Sequence, residues 1–115
     1  MIEKFRFWLY SIVEQTPIPD EIENILFTLT IDEHGSFLKM EGFEKEINLN
    51  ILCFRPLEAE FFAMGGYKHK NKDVIIYNVK EIIDESFSDN FLKEQFKKRK
   101  IYFMCNQKLE YLFKI

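Results

Sequence analysis

At 115 residues, 47% of them apolar and including 13 Phe, 5 Tyr and 1 Trp, the chain has the length of one domain and enough apolar area for one core, which excludes intrinsic disorder. Sixteen Lys and Arg against 19 Asp and Glu give a net charge of −3 and a pI near 5.4; this argues against a protein whose main task is neutralising duplex phosphates and leaves room for a basic protein partner. The two cysteines, Cys53 and Cys105, each sit in an apolar run, so they are expected to be reduced core thiols of a soluble, cytoplasmic protein rather than a disulfide framework.

Ile2, Phe5, Trp8, Leu9, Ile12 and Val13 recur at helical spacing and predict an amphipathic helix ending before Thr16. Glu3, Lys4 and Arg6 interrupt its apolar residues, so neither a signal peptide nor a membrane span is expected. Pro17 and Pro19 stop the helix and predict an extended connector into a sheet.

From Ile25 the period becomes two: Ile25, Phe27, Leu29 and Ile31 alternate with Leu26, Thr28, Thr30 and Asp32. With His34-Gly35 as the loop of a hairpin, Ile31 faces Leu38, Leu29 faces Met40 and Phe27 faces Gly42, all apolar partners on one side. A second turn at Glu44-Lys45 and the alternation of Ile47, Leu49, Ile51 and Cys53 predict a third strand, completing a meander. Beyond Pro56, Ala59 to Met64 and Val74 to Val79 read as two more strands, joined by Gly65-Gly66 and a polar tip from Lys68 to Asp73.

Residues 80–100 turn charged, with Ile82, Ile83, Phe87, Phe91, Leu92 and Phe96 at mostly helical spacing and Ser88 or Asp89 as a cap, predicting one broken helix or two short ones. Lys97, Lys98, Arg99 and Lys100 fall where cations complement the helix dipole. Ile101 to Cys105, a turn at Asn106-Gln107, and Leu109, Tyr111, Phe113 and Ile115 alternating with Glu110, Leu112 and Lys114 predict a C-terminal hairpin, whose free edge leaves room for a homodimer. The expected fold is a single α+β domain over 1–115: an antiparallel sheet of about seven strands packed with an N-terminal helix and a helical segment near 80–100.

No catalytic motif stands out. Asp32, Glu33 and His34 crowd one turn without metal-ligand spacing, and neither Cys-x-x-Cys nor His-Glu-x-x-His occurs, so no metal is expected. Gly65-Gly66 matches no phosphate-binding fingerprint, so no cofactor is expected. The best enzyme reading is a carboxylate and histidine site assembled by the fold from Glu58, Glu60 and His69, since Glu58 and Glu60 share one face at strand spacing. Lys68, His69, Lys70 and Lys72, with Lys97 to Lys100, form basic patches, but no nucleic-acid-binding module accompanies them, so nucleic acid is not the expected partner and a nucleic-acid accessory protein stands as the third reading, after the enzyme.

The leading expectation is a non-enzymatic protein-binding domain, an immunity or antitoxin type inhibitor of a more basic toxic enzyme. Its contact surface is drawn from the acidic stretches, Asp20, Glu21 and Glu23, then Glu41, Glu44 and Glu46, then Asp84 and Glu85 within 82–86, with Phe37 and Phe43 as aromatic anchors turned away from Leu38 and Met40.

Overall fold

In the computed structural model the elements run α1 (Ile2–Gln15), β1 (Asn24–Asp32), β2 (Gly35–Phe43), β3 (Glu60–Met64), α2 (Lys72–Ser86), α3 (Asn90–Gln95), β4 (Lys100–Cys105) and β5 (Lys108–Lys114). The structure describes residues 2–33, 35–51, 54–56, 60–64 and 71–115, with 60–64 described by their backbone alone.

Among the described residues five strands form one mixed sheet in the order β3-β2-β1-β4-β5, in place of the expected antiparallel sheet of about seven. Its centre is a parallel pair, β1 with β4, in which Ile25 lies beside Ile101 and Phe27 beside Phe103. The chain reaches β4 from β1 by way of the β1–β2 hairpin and the helices, and a crossover of that length is what parallel neighbours require. The other described pairings are antiparallel.

Two predicted strands are something else. Val74 to Val79 belongs to α2, whose buried Ile75, Val79 and Ile83 repeat every four residues. Asn71 caps this helix, its side chain accepting from the Asp73 N–H at 2.8 Å. β-branched residues favour strands, but the cap and the four-residue repeat prevail. The stretch around Ile47 to Ile51 turns instead of extending. The Asn48 side chain accepts from the Asn50 N–H at 3.0 Å, and the Asn48 carbonyl accepts from the Ile51 N–H at 3.0 Å. Asn side chains that bond the backbone two residues on compete with a ladder. Leu49 and Ile51 consequently stand exposed, and the Gly42–Phe54 bridge is the only pairing the described part of this segment makes with β2. Cys53 lies outside the described residues.

The first hairpin keeps its apolar face but slides by two residues: Leu29 pairs with Leu38, Phe27 with Met40 and Ile25 with Gly42. The pairing runs on to Asp32 with Gly35, which already lies in β2 at φ 140°, a backbone region that favours glycine; the His34 of the expected turn lies outside the described residues. A slip of two preserves the faces, whereas a slip of one would have inverted them. In the second hairpin Asn106 and Gln107 take φ 54° and 64°, the paired left-handed turn that matches strand twist. A bulge between Ile101 and Tyr102 then splits the predicted apolar face of β5. Phe113 points to the helices and meets Phe87 at 5.9 Å, while Tyr111 meets Tyr102 at 5.4 Å on the opposite side.

The three helices cover one sheet face. Phe5, Trp8, Leu9 and Ile12 of α1 pack with Ile25 and Phe27 of β1, Met40 of β2, Ile75 and Ile83 of α2, Phe96 and Phe103 in one buried cluster. Phe27 meets the rings of Phe5, Trp8 and Phe87 at 5.8, 6.4 and 6.4 Å. No described helix is long and apolar enough to cross a membrane.

Candidate interaction surface

One end of the sheet gathers the start of β1, the end of β2, the start of β4 and the end of β5. Asn24 pairs with Phe43 on one side and Lys100 on the other, and Lys100 pairs in turn with Lys114. The Glu23 N–H donates to the Phe43 carbonyl at 3.1 Å, and the Lys100 N–H donates to the Glu23 carbonyl at 2.9 Å. The Asn24 side-chain amide donates to the Lys45 carbonyl, which fixes the chain as it leaves β2.

Arg99 organises this end. It is 9% exposed, and its guanidinium donates to the carbonyls of Ile22 at 2.8 Å, Gln95 at 2.9 Å, Pro19 at 3.0 Å and Ile18 at 3.4 Å. Burial lowers its pKa and the nearby Asp20 opposes that shift. A planar fork of five donors suits such a set of carbonyls, which a lysine ammonium could not span. The connector 18–22 is thereby tied to the end of α3. Between them opens a cleft of about 790 Å³ with Ile18, Ile22, Asp20, Glu23, Glu94, Lys97, Lys98, Lys100 and Lys114 on its walls.

Charge is divided along this end. Asp20, Glu21 and Glu23 precede β1, Glu44 and Glu46 follow β2, and all five are exposed. The pairing of Glu23 and Asn24 with Phe43 brings the two acidic segments to the same end of the sheet, with the exposed Lys45 between Glu44 and Glu46. On the β4–β5 side Lys97, Lys98, Lys100 and Lys114 are exposed.

The remaining predicted contact residues go elsewhere. Glu41 is 7% exposed and held by Arg55, whose Nη2 donates to its Oε2 at 2.8 Å, with the Lys39 ammonium 3.6 Å away. Phe43 is 2% exposed and Phe37 is half-buried, so Phe43 gives no anchor to a partner. Glu58 and His69 lie outside the described residues. The backbone of Glu60 pairs with Lys39 in β3.

Among the described residues no three His, Cys, Asp or Glu side chains are grouped to hold a metal. Cys105 is buried, and burial pushes its thiol pKa up against the weaker opposing effects of Lys72 and the Asn106 backbone. A protonated, enclosed thiol is a core group rather than a nucleophile. No family model, curated protein or solved structure matches the chain.

Sequence reasoning missed Arg99, Lys114, Tyr102 and Tyr111. The arginine carried a signal, as the only guanidinium in a run of lysines. Lys114 and the tyrosines carried none, because their register skips Leu112 of β5 between Phe113 and Tyr111.

Proposed function

We propose that this chain is a non-catalytic protein-binding domain that neutralises a more basic toxic enzyme in the cytoplasm, as an immunity protein or antitoxin does. The observation that carries the proposal is the backbone bond from Glu23 to Phe43, which brings the exposed acidic segment of Asp20, Glu21 and Glu23 and that of Glu44 and Glu46, more than twenty residues apart in the chain, to one end of the sheet. Surface carboxylates facing a positive cleft accelerate encounter and select the partner by charge. The bonds from the Glu23 N–H to Phe43 and from the Asn24 side chain to Lys45 hold the two flanking segments together before the partner arrives, so less ordering cost opposes binding.

The test compares two baits in lysate of the native organism, the parent chain and a Glu21→Lys, Glu23→Lys, Glu44→Lys, Glu46→Lys variant. The expected result is a basic protein retained in near-equal amount by the parent and lost by the variant, whose enzymatic activity falls as the parent chain is added. Identical captures by both baits, or a captured enzyme with undiminished activity, would refute the proposal.

A further inference from the structure

The β4–β5 half of the same sheet end places Lys100 directly opposite Lys114 in an antiparallel pair. Both side chains are exposed, and neither forms an ion pair among the described residues. Like charges directly across a strand pair repel and destabilise it, so the arrangement costs stability in the unliganded protein. Lys98 adds a third ammonium nearby. Its residue sits at φ 68°, and its N–H donates to the Ile115 carbonyl at 2.9 Å while the Ile115 N–H donates to Arg99 at 3.0 Å.

Next along the same sheet face, two residues or about 6.6 Å from Lys100 and, across the bulge, three residues from Lys114, lies the Tyr102–Tyr111 pair. Ile101, Phe103 and Cys105 of β4 are buried toward the helices, so Lys100, Tyr102 and Met104 share the face away from them. On β5, Lys114, Tyr111 and Leu109 are their partners on that face. Tyr111 is 52% exposed and Leu109 46%, whereas the equivalent face of β1 and β2 buries Leu26 and Phe43 completely or nearly so. The strip therefore reads, from the cleft outward, cationic pair, aromatic pair, apolar pair.

We infer that this strip binds a single-stranded nucleic acid segment, with phosphate between Lys100 and Lys114 and a base stacked on the exposed Tyr111 ring. An anion between the two ammonium groups removes the repulsion that the free protein carries. Stacking on an aromatic face beside a basic groove is how proteins hold unpaired bases without sequence preference. A duplex hides its base faces and cannot use the tyrosines. Asp20, Glu23 and Glu94 also line the cleft and repel phosphate, which keeps the strand on the sheet face of Lys100 and Lys114. The net charge of −3 does not prevent this, because exposed charges beyond roughly 8 Å are largely screened at physiological salt and the local cations decide.

The experiment is fluorescence anisotropy of a labelled short oligo-uridine with the full chain over a salt series. Unlabelled duplex of the same length, a mononucleotide and an oligoglutamate of matched charge serve as competitors. Oligo-uridine is expected to bind at low salt, Tyr111→Ala to weaken it about tenfold, and each of Lys100→Gln and Lys114→Gln to flatten the salt slope by about 1. The lysine variants are expected to melt no lower than the parent, because a like-charge pair has been relieved, so their weaker binding cannot be misfolding. Absence of binding at low salt overturns the inference. So does binding indifferent to Tyr111→Ala, or a duplex, mononucleotide or oligoglutamate that competes as well as the strand.

Discussion

The two halves of the sheet end differ in how their charges arrive there. On the β1–β2 side the carboxylates sit in the segments that flank the strands, outside the ladder, and local sequence already groups them as 20–23 and 44–46. On the β4–β5 side the lysines lie within the ladder and are brought together only by strand pairing. Acidic character at one half is thus a property of segments, and basic character at the other is a property of register. Arg99 joins the two, because it ties the connector before β1 to the end of α3 from the first position before β4.

Replacing that joint separates the halves with the largest effect. Arg99→Met removes the guanidinium donors from the carbonyls of Ile18, Pro19, Ile22 and Gln95, of which Pro19 keeps the Ile22 N–H, and a loss of about 3 kcal/mol is expected in urea unfolding. If the variant kept the parent's stability, the joint would not lie at Arg99. Gly42→Ala addresses the β1–β2 half alone. Its new methyl would meet the Ile22 Cγ2 at 2.7 Å and the Phe54 side chain at 3.1 Å, so a loss of about 2 kcal/mol is expected. The same melts would show no loss if Ile22 and Phe54 moved apart freely.

A smaller effect marks the far end of β4. Burial raises the Cys105 pKa above its ordinary 9.0, so the folded state holds the thiol proton more tightly than the unfolded chain. Its contribution is fully present below pH 9 and is lost as pH rises through the folded pKa. Cys105→Ala should therefore flatten the decline of stability above pH 9, measured by denaturant melts at successive pH values; parallel declines would place the titrating group elsewhere. Smallest of all, Lys100→Gln should raise stability by a few tenths of a kcal/mol in thermal melts, and a fall would mean that Lys114 is not its effective neighbour.

The contrast between the halves also explains what the sequence made legible. The periodicity of Phe5, Trp8, Leu9 and Ile12 and the alternation of Ile25, Phe27 and Leu29 identified α1 and β1 and their buried faces, because local spacing alone determines them. Val74 to Val79 misled because its apolar residues are β-branched, and the Asn71 cap that marks the helix start lies just before them. Leu49 and Ile51 misled because their alternation imitates a strand, whereas Asn48, just before Leu49, bonds the backbone of Asn50 and turns the chain. The parallel contact of β1 with β4 had no local signature, since it joins residues some 76 positions apart, as in Asn24 with Lys100. Glu41 and Phe43 shared the phase of exposed residues, and only Arg55 and the chain crossing near Gly42 show that they are covered.

The division of this surface into two sites is tested most directly by measuring partner capture and oligo-uridine binding on the same two variants. One reverses Glu21, Glu23, Glu44 and Glu46 to Lys, and the other carries Lys100→Gln and Lys114→Gln. The predicted result is a double dissociation, in which the glutamate variant loses the basic protein and keeps the oligonucleotide, and the lysine variant does the reverse. Loss of both ligands in either variant, or of neither in both, would contradict the account.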